Sequence, residues 1–249
     1  NQGSDAAAFW PAALPGVVTV AATTQEDTRA NYSNWGTVVD IAAPGSDIVS
    51  LRARYTDPMM FGEGEGEYEP YSNVVGENGR QYLATGTSFA APLVSGAASL
   101  LWANNPTLAN TDVQRMLLHS ARDLETPGPD ILTGYGLLDV SAALQAEPEF
   151  FIDARIANVQ VVQRDSKPSL QLLGTADADK FKRASVKYGA GEAPASWREA
   201  GKIKAAVRDG VLAEIGADKL SAEARWTVQL VVEHKNGDTR LAQFDLKLR

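Results

Sequence analysis

The sequence predicts an α/β fold for residues 1–147 and a small, sandwich-like all-β unit for residues 148–249. Charge divides unevenly: residues 1–148 hold 17 acidic residues, six Arg and no Lys, and every lysine lies at or after Lys167. Short apolar runs alternate with helical patterns in the first part, which is typical of α/β folds. Period-two alternation dominates the second part. Pro148 is a suitable linker residue between them.

Two strands and a long helix are predicted first in the chain. The apolar runs at residues 17–21 and 38–42 suit buried parallel strands. Residues 85–103 have a helical pattern with small residues on every side, so we expect a central helix that is buried all round. Asn104-Asn105-Pro106 would end this helix.

A second helix is expected to start at Thr111, where Gln114 three residues later would complete a capping box. Its apolar positions recur with a period near 3.6. They are Val113, Met116, Leu117, Ala121 and Leu124. The acidic Gly-Glu repeat at residues 62–67 is predicted to be a surface loop.

The second part reads as antiparallel strands. Residues 226–232 and 242–248 alternate in polarity, and Asn236-Gly237 between them is a strong hairpin signal. Further strands are predicted at residues 155–163, 169–175 and 184–188. An antiparallel sandwich accommodates such a set.

Composition excludes several classes of function. The chain has no cysteine, so it has no disulfide framework, thiol nucleophile or cysteine-based zinc site. A net charge of −8 argues against a nucleic-acid partner. No run of 18 apolar residues exists, so we expect no membrane-spanning segment.

The run Gly86-Thr87-Ser88-Phe89-Ala90-Ala91-Pro92 carries the chemistry. A nucleophilic serine needs exposure at a sharp turn, a general base and donors for the oxyanion. Ser88 lies where a glycine-containing loop enters a helix, whose N-terminus favours developing negative charge. From the tripeptide Gly-Thr-Ser alone, a serine that merely caps a helix is the favoured interpretation.

The longer run, residues 86–96, resembles the nucleophile segment of the subtilase family of serine peptidases. Five other segments resemble blocks of that family and occur in its order. They are Asn1-Gln2-Gly3, residues 10–20, residues 31–36, residues 39–45 and residues 134–144. The resemblance covers residues 1 to about 145.

The resemblance implies a subtilisin-type serine endopeptidase that acts on protein or peptide substrates. It implies Ser88 as the nucleophile and Asn1 as the side-chain donor of the oxyanion hole, with the Ser88 N–H as second donor. In the family's order the catalytic Asp and His precede the asparagine, so we expect them in a missing N-terminal portion. His119 and His234 fall outside every family motif and are expected to be structural or solvated. The chain alone is therefore expected to be inactive.

A further expectation concerns packing. The family's parallel sheet would draw strands from both portions, so residues 1–148 should expose an unpaired strand edge and apolar faces. Poor solubility or self-association of the isolated chain would follow.

Several roles stay open at this stage. No cofactor is certain; a structural calcium ion could belong to the parent enzyme, although a strand-end aspartate at Asp40 and a plain acidic loop at residues 62–67 are favoured over calcium ligands. Phe9 and Trp10 either border the substrate pocket or pack in a core.

Secretion or a periplasmic location is implied by resemblance only. The alternative function is a degenerate, non-catalytic subtilase that binds proteins, and the role of the β region is open.

Overall fold

Strands outnumber helices in the computed structural model, which is rich in sheet. The structure describes residues 1–53, 73–76, 78–164, 167–220 and 223–248. The predicted loop at residues 62–67 lies outside the described residues. No described helix is long and apolar enough to cross a membrane.

The helices lie in the first part of the chain, apart from one short 3-10 turn. They are α1 (Thr87–Asn104), α2 (Asn110–Ser120) and α3 (Val140–Gln145), with 3-10 turns at Ala6–Ala8 and Ala217–Leu220. The strands before residue 100 are β1 (Val20–Thr23), β2 (Ile41–Pro44), β3 (Ile48–Leu51), β4 (Val74–Val75) and β5 (Gln81–Ala84). Those after residue 150 are β6 (Ile152–Arg164), β7 (Lys167–Ala178), β8 (Phe181–Ala190), β9 (Arg198–Ile203), β10 (Val207–Gly216), β11 (Arg225–His234) and β12 (Thr239–Lys247).

Strands β1 and β2 form the predicted parallel pair, with Val20 opposite Ile41. Both start three residues later than predicted. The residues just before them are joined by one backbone bond and one side-chain bond: the Asp40 N–H donates to the Thr19 carbonyl at 2.9 Å, and the Asp40 carboxylate accepts the Thr19 N–H at 2.7 Å. A regular ladder therefore begins only after these two residues.

At Ala22 and Ala42 the outer edges of β1 and β2 are paired, and the unpaired strand edge expected in residues 1–148 otherwise stays a prediction. On the outer side of β1, Ser33 Oγ accepts the Ala22 N–H and the Ala30 N–H donates to the Ala22 carbonyl, both at 2.9 Å. On the outer side of β2, the Leu138 N–H donates to the Ala42 carbonyl at 2.8 Å. Loop segments satisfy the edge groups that a further strand would otherwise satisfy.

Helix α1 buries one face, which corrects the expectation that it is buried all round. Its buried side chains are spaced three or four residues apart: Ala90, Val94, Ala97 and Leu101. Leu93, Leu100 and Trp102 are at least 40% exposed. The apolar exposure expected of this half is thus confirmed, and self-association of the isolated chain stays a prediction.

Helix α2 has a different cap from the predicted one. It begins at Asn110 after the N-cap Ala109, so Thr111 and Gln114 form no capping box. Asp112 replaces Gln114, because its Oδ2 accepts the Ala109 N–H at 3.2 Å. A carboxylate in the first turn also interacts favourably with the helix dipole. The buried residues are Val113, Met116, Leu117 and Leu118, while Ala121 and Leu124 follow the end of the helix.

Residues 152–248, which we call the β region, form two antiparallel sheets. Their strand orders are β10-β7-β6 and β12-β11-β8-β9. The hairpin predicted at Asn236-Gly237 is confirmed, and Gly237 has φ +100°. Strands β9 and β10 were not predicted; their registers are interrupted by bulges, which break the alternation that sequence patterns rely on.

The hydrophobic residues form clusters that do not mix the two parts of the chain. One cluster lies within residues 152–246, and the two others lie within residues 6–143. Polar contacts and one close backbone approach join the parts. A Cβ placed on Gly128 would lie 2.6 Å from the Ala242 Cα and from the Leu241 carbonyl oxygen.

Gly128→Ala should destabilise the chain far more than Gly191→Ala. The two glycines have nearly equal φ angles, +86° and +81°, but a Cβ at Gly191 would meet nothing within 4 Å. We expect Gly191→Ala to cost about 1 kcal/mol for the left-handed backbone, and Gly128→Ala roughly 1–3 kcal/mol more for overpacking. Urea unfolding of both variants measures the difference, and equal losses would show that the approach of residue 128 to β12 is unimportant.

Candidate functional site

The loop before α1 is held by the end of strand β2. The Gly86 N–H donates to the carbonyl of Gly45, the residue after β2, at 2.8 Å. Gly86 has φ +152° and ψ 158°, a region that is essentially restricted to glycine. A Cβ on Gly45 would lie 2.6 Å from the Ala22 Cβ and 3.1 Å from the Gly86 carbonyl oxygen. Both glycines are therefore required for the loop to reach the carboxyl end of the parallel strands, where sites in α/β sheets form.

Ser88 is the second residue of α1 and is exposed. The first N–H groups of a helix have no partner within the helix, and no described residue accepts from the Ser88 N–H. The Ser88 hydroxyl likewise has no hydrogen-bond partner among the described residues. Ser88 therefore presents a free hydroxyl beside a free backbone donor, at the positive end of an 18-residue helix.

The side chain of Asn1 lies against the same loop. Its Oδ1 accepts both the Thr87 N–H and the Thr87 hydroxyl, each at 2.9 Å. Because a backbone N–H can only donate, these contacts fix which end of the amide is oxygen. The Nδ2 donors are thus left for another acceptor, and this nitrogen lies 3.3 Å from where a Cβ of Gly86 would be.

Thr87 is a site residue that the sequence did not reveal. It belongs to the predicted motif, but the sequence pattern indicated a chemical role only for its neighbour Ser88. The available signal was a threonine with two donors directly before the serine. Its role becomes visible only when Asn1, 86 residues away, is placed beside it.

The segment at residues 31–36 holds Asn1 in place. Asn34 Oδ1 accepts the Gln2 N–H at 2.9 Å and the Ser4 N–H at 3.3 Å. The Gly3 N–H donates to the Tyr32 carbonyl at 2.9 Å. Two segments that were recognised separately in the sequence thus form one support for the amide.

The model of the subtilase family matches residues 1–136, more than half of the chain. The chain belongs to the subtilase family. It is 31% identical over 212 residues to the cell wall-associated protease of Bacillus subtilis, covering 76% of this chain and 21% of that protein. It is 35% identical over 149 residues to an extracellular protease of Xanthomonas campestris pv. campestris, covering 59% of this chain and 22% of that protein.

The matches of this subtilase chain to curated relatives cover between 13% and 27% of the length of those relatives. Among solved structures it is similar to a protease from Pseudoalteromonas arctica, with a TM-score of 0.44 and 27% identity. That match covers 58% of this chain and 40% of the other.

Neither histidine of the subtilase chain is bonded to Ser88. His119 lies in the last turn of α2, where its ring packs edge-on against Tyr135 at 5.1 Å and its Nδ1 is 3.2 Å from Arg240 Nη1. Burial, helped by the positive charges of Arg240 and Arg115, lowers the pKa of His119 to about 3. His234 is buried, with its Nε2 3.2 Å from Asp179 Oδ1. Both therefore have structural partners.

Trp10 is 73% exposed, so of the two interpretations offered for it, core packing is wrong. It follows the 3-10 turn at Ala6–Ala8, and Phe9 beside it is partly exposed. A place for Phe9 and Trp10 beside the substrate stays a prediction.

The surroundings of Asp40 do not fit a calcium site. One carboxylate oxygen accepts the Thr19 N–H, and burial raises the pKa of Asp40 against the opposing effect of that hydrogen bond. Calcium needs six to eight oxygen ligands. The described part of the chain contains no group of three or more acidic, histidine or cysteine side chains suited to a metal ion.

Asn34→Ala should release the support of Asn1. It removes the acceptor for the Gln2 and Ser4 N–H groups, so their amide hydrogens should exchange roughly 5-fold to 150-fold faster, as expected for losing a contribution of about 1–3 kcal/mol. Asn34→Asp keeps an oxygen at that position and is the matched control. Hydrogen exchange read by NMR measures both. Unchanged exchange in Asn34→Ala would show that residues 31–36 do not hold Asn1.

Proposed function

We propose that this chain carries the nucleophile and the oxyanion hole of a subtilisin-type serine endopeptidase. The observation that carries the proposal is the orientation of the Asn1 amide, with its oxygen on Thr87 and its donors free beside the loop of Ser88. A serine that only caps a helix would need no such amide. Membership of the family supports the same reading.

In the proposed reaction Ser88 Oγ attacks the carbonyl carbon of a peptide bond and loses its proton to a general base. The carbonyl oxygen becomes an oxyanion that accepts hydrogen bonds from Asn1 Nδ2 and the Ser88 N–H. Collapse of this intermediate breaks the C–N bond, the amine leaves with the proton from the base, and Ser88 keeps the acyl group. Water then hydrolyses the ester by the same route in reverse order.

The base is the missing component. The described histidines are held by other partners, and without a base a serine hydroxyl is a weak nucleophile. We propose that the catalytic Asp and His belong to a part of the protein outside these 249 residues. Binding and an oxyanion hole alone would leave the chain with a rate about 10³–10⁴ over water, well below that of a working peptidase.

The organisation we propose has two domains. Residues 1–147 would be the C-terminal portion of the catalytic domain, and residues 148–249 a β-sandwich accessory domain. The separate hydrophobic clusters support this division. The match to the Bacillus relative covers 76% of the chain, which is more than residues 1–147 make up, so the aligned region extends into residues 148–249.

Substrates and location follow as proposals. A peptidase of this type would cleave proteins or peptides, and the similar proteins named above include a cell wall-associated and an extracellular protease. We propose export from the cell on that basis. The oriented amide beside Ser88 argues against the non-catalytic alternative, because a binding module has no use for such an amide.

Labelling with a fluorophosphonate tests the proposal. The 249-residue chain should label at Ser88 at most slowly, whereas the protein extended by its catalytic Asp and His should label stoichiometrically, with Ser88→Ala as the control. Mass spectrometry locates the adduct. Fast labelling of the 249-residue chain would refute the need for an outside base. An extended protein that fails to label would refute the peptidase function.

In the extended protein, Asn1→Ala should lower kcat by roughly 10²–10³ with little change in KM, the loss known for the oxyanion asparagine of subtilisin. Thr87→Val should lower kcat less, because it removes one of the two donors that orient Asn1 and keeps the side-chain shape. Equal kcat values in Asn1→Ala and the parent would exclude Asn1 from the oxyanion hole.

A further inference from the structure

The segment at residues 121–138, between α2 and α3, contacts both parts of the molecule. Toward the parallel sheet, the Leu138 N–H donates to the Ala42 carbonyl and the Tyr135 N–H to the Asp40 carbonyl, both at 2.8 Å. Gly134 lies so close that a Cβ on it would be 2.3 Å from the Asp40 carbonyl group. The segment thus serves as the outer neighbour of β2.

The opposite side of the same segment faces the β region. The Gln243 N–H, on β12, donates to the Pro127 carbonyl at 2.7 Å. The Tyr135 hydroxyl donates to Asp153 Oδ1, on β6, at 2.8 Å. Gly128 packs directly on Ala242, as described above. Backbone, side-chain and steric contacts therefore all hold the segment from this side.

Arg240 of β12 lies at the centre of these contacts. Its guanidinium is 5.3 Å from the centre of the Tyr135 ring, and Nη1 is 3.2 Å from His119 Nδ1 and 3.4 Å from the His119 carbonyl oxygen. Since Arg can only donate, His119 must accept through Nδ1 and carry its hydrogen on Nε2. The ring also packs against Phe151, the residue before β6, with the ring centres 5.7 Å apart. One neutral imidazole therefore joins the end of α2 to β12 and to the start of β6.

We propose that the β region is an intramolecular clamp that holds residues 121–138, and through them strand β2, with Arg240 as its main fastening residue. Strand β2 leads directly to Gly45, whose carbonyl holds the Gly86 N–H before Ser88. The clamp therefore supports the loop that carries the serine. The inference goes beyond the proposed peptidase function and does not depend on it.

Hydrogen exchange of the full 249-residue chain tests the clamp. Arg240→Gln should speed exchange at the Ala42, Leu137 and Leu138 amides at least tenfold, while the core amides of Val186 and Leu230 stay unchanged. Arg225→Gln is the matched control, because Arg225 lies in the same sheet but pairs with exposed Glu192. A rise in exchange rate that is confined to the hairpin of β11 and β12, or that is equally large in Arg225→Gln, would overturn the proposal. An equal rise in Val186 and Leu230 would also overturn it, since it would mean only global destabilisation.

Asp153→Ala keeps the test decisive if Arg240→Gln does not fold. This substitution removes the acceptor of the Tyr135 hydroxyl, and it changes a residue of the β region only. The same three amides should exchange faster, by a smaller factor. No change at these amides would overturn the clamp.

The pH dependence gives a second readout. His119 faces Arg115 of α2, Arg240 of β12 and Tyr135, and it shares a cavity of about 410 Å³ with charged groups of the sheet: Asp153, Arg155, Asp177, Arg208 and Asp209. Its pKa is lowered from 6.5 to about 3, so the folded chain keeps it neutral while the unfolded chain protonates it below pH 6.5. Its stabilising contribution is complete above pH 6.5 and is lost as the pH falls toward 3.

His119→Gln should therefore have a lower urea midpoint than the parent at pH 7, and the gap should narrow at pH 4. The same carboxylates titrate in both proteins, so their effect on stability cancels in the difference between the two urea midpoints. A gap that is the same at both pH values would contradict the neutral imidazole link, and with it the fastening role assigned to Arg240.

Discussion

Strand β2 must satisfy its backbone polar groups on both edges, and the rest of the first part of the chain depends on how it does so. One edge pairs with β1 in parallel register. The other edge donates hydrogen bonds to residues 135–138 and accepts hydrogen bonds from them. A buried peptide group left without a partner would cost free energy comparable to a lost hydrogen bond. The residue after the strand, Gly45, then holds the loop of Ser88. The position of the serine is thus an extension of the hydrogen bonding of one short strand.

The same constraint applies to the two proposed oxyanion donors, Asn1 Nδ2 and the Ser88 N–H. A side-chain amide can rotate, so its usefulness depends on which atoms fix it. Thr87 supplies two donors to Asn1 Oδ1, and the only arrangement that satisfies them turns Nδ2 away from Thr87. The backbone donor of Ser88 needs no such support, because the helix itself leaves it unpaired. One donor is set by helix geometry and the other by a tertiary contact across 86 residues.

Local signals in the sequence were enough for features that depend on a few adjacent residues. The end of α1 at Asn104, the Asn236-Gly237 hairpin and the loop of Ser88 are of this kind. Features that depend on distant partners were missed. Asp112, rather than Gln114, caps the start of α2. The exposure of Leu93 and Leu100 depends on which residues pack against α1. Arg240 and His119 are 121 residues apart, and no periodicity could bring them together.

His119 illustrates why a histidine in a serine peptidase sequence must be judged by its surroundings. A general base works best with a pKa near the operating pH and with a carboxylate that stabilises its charged form. The neighbours that shift the pKa of His119 electrostatically are two arginines, and its pKa is held at about 3. The ring would be too weak a base for a serine hydroxyl even if it could reach one. The low pKa that excludes His119 as a base suits it to the contact with β12. A histidine that stays neutral can accept a hydrogen bond from Arg240 at every pH at which the protein would act. In the proposed peptidase, the base for Ser88 would therefore come from residues that have a carboxylate, rather than a guanidinium, beside the imidazole.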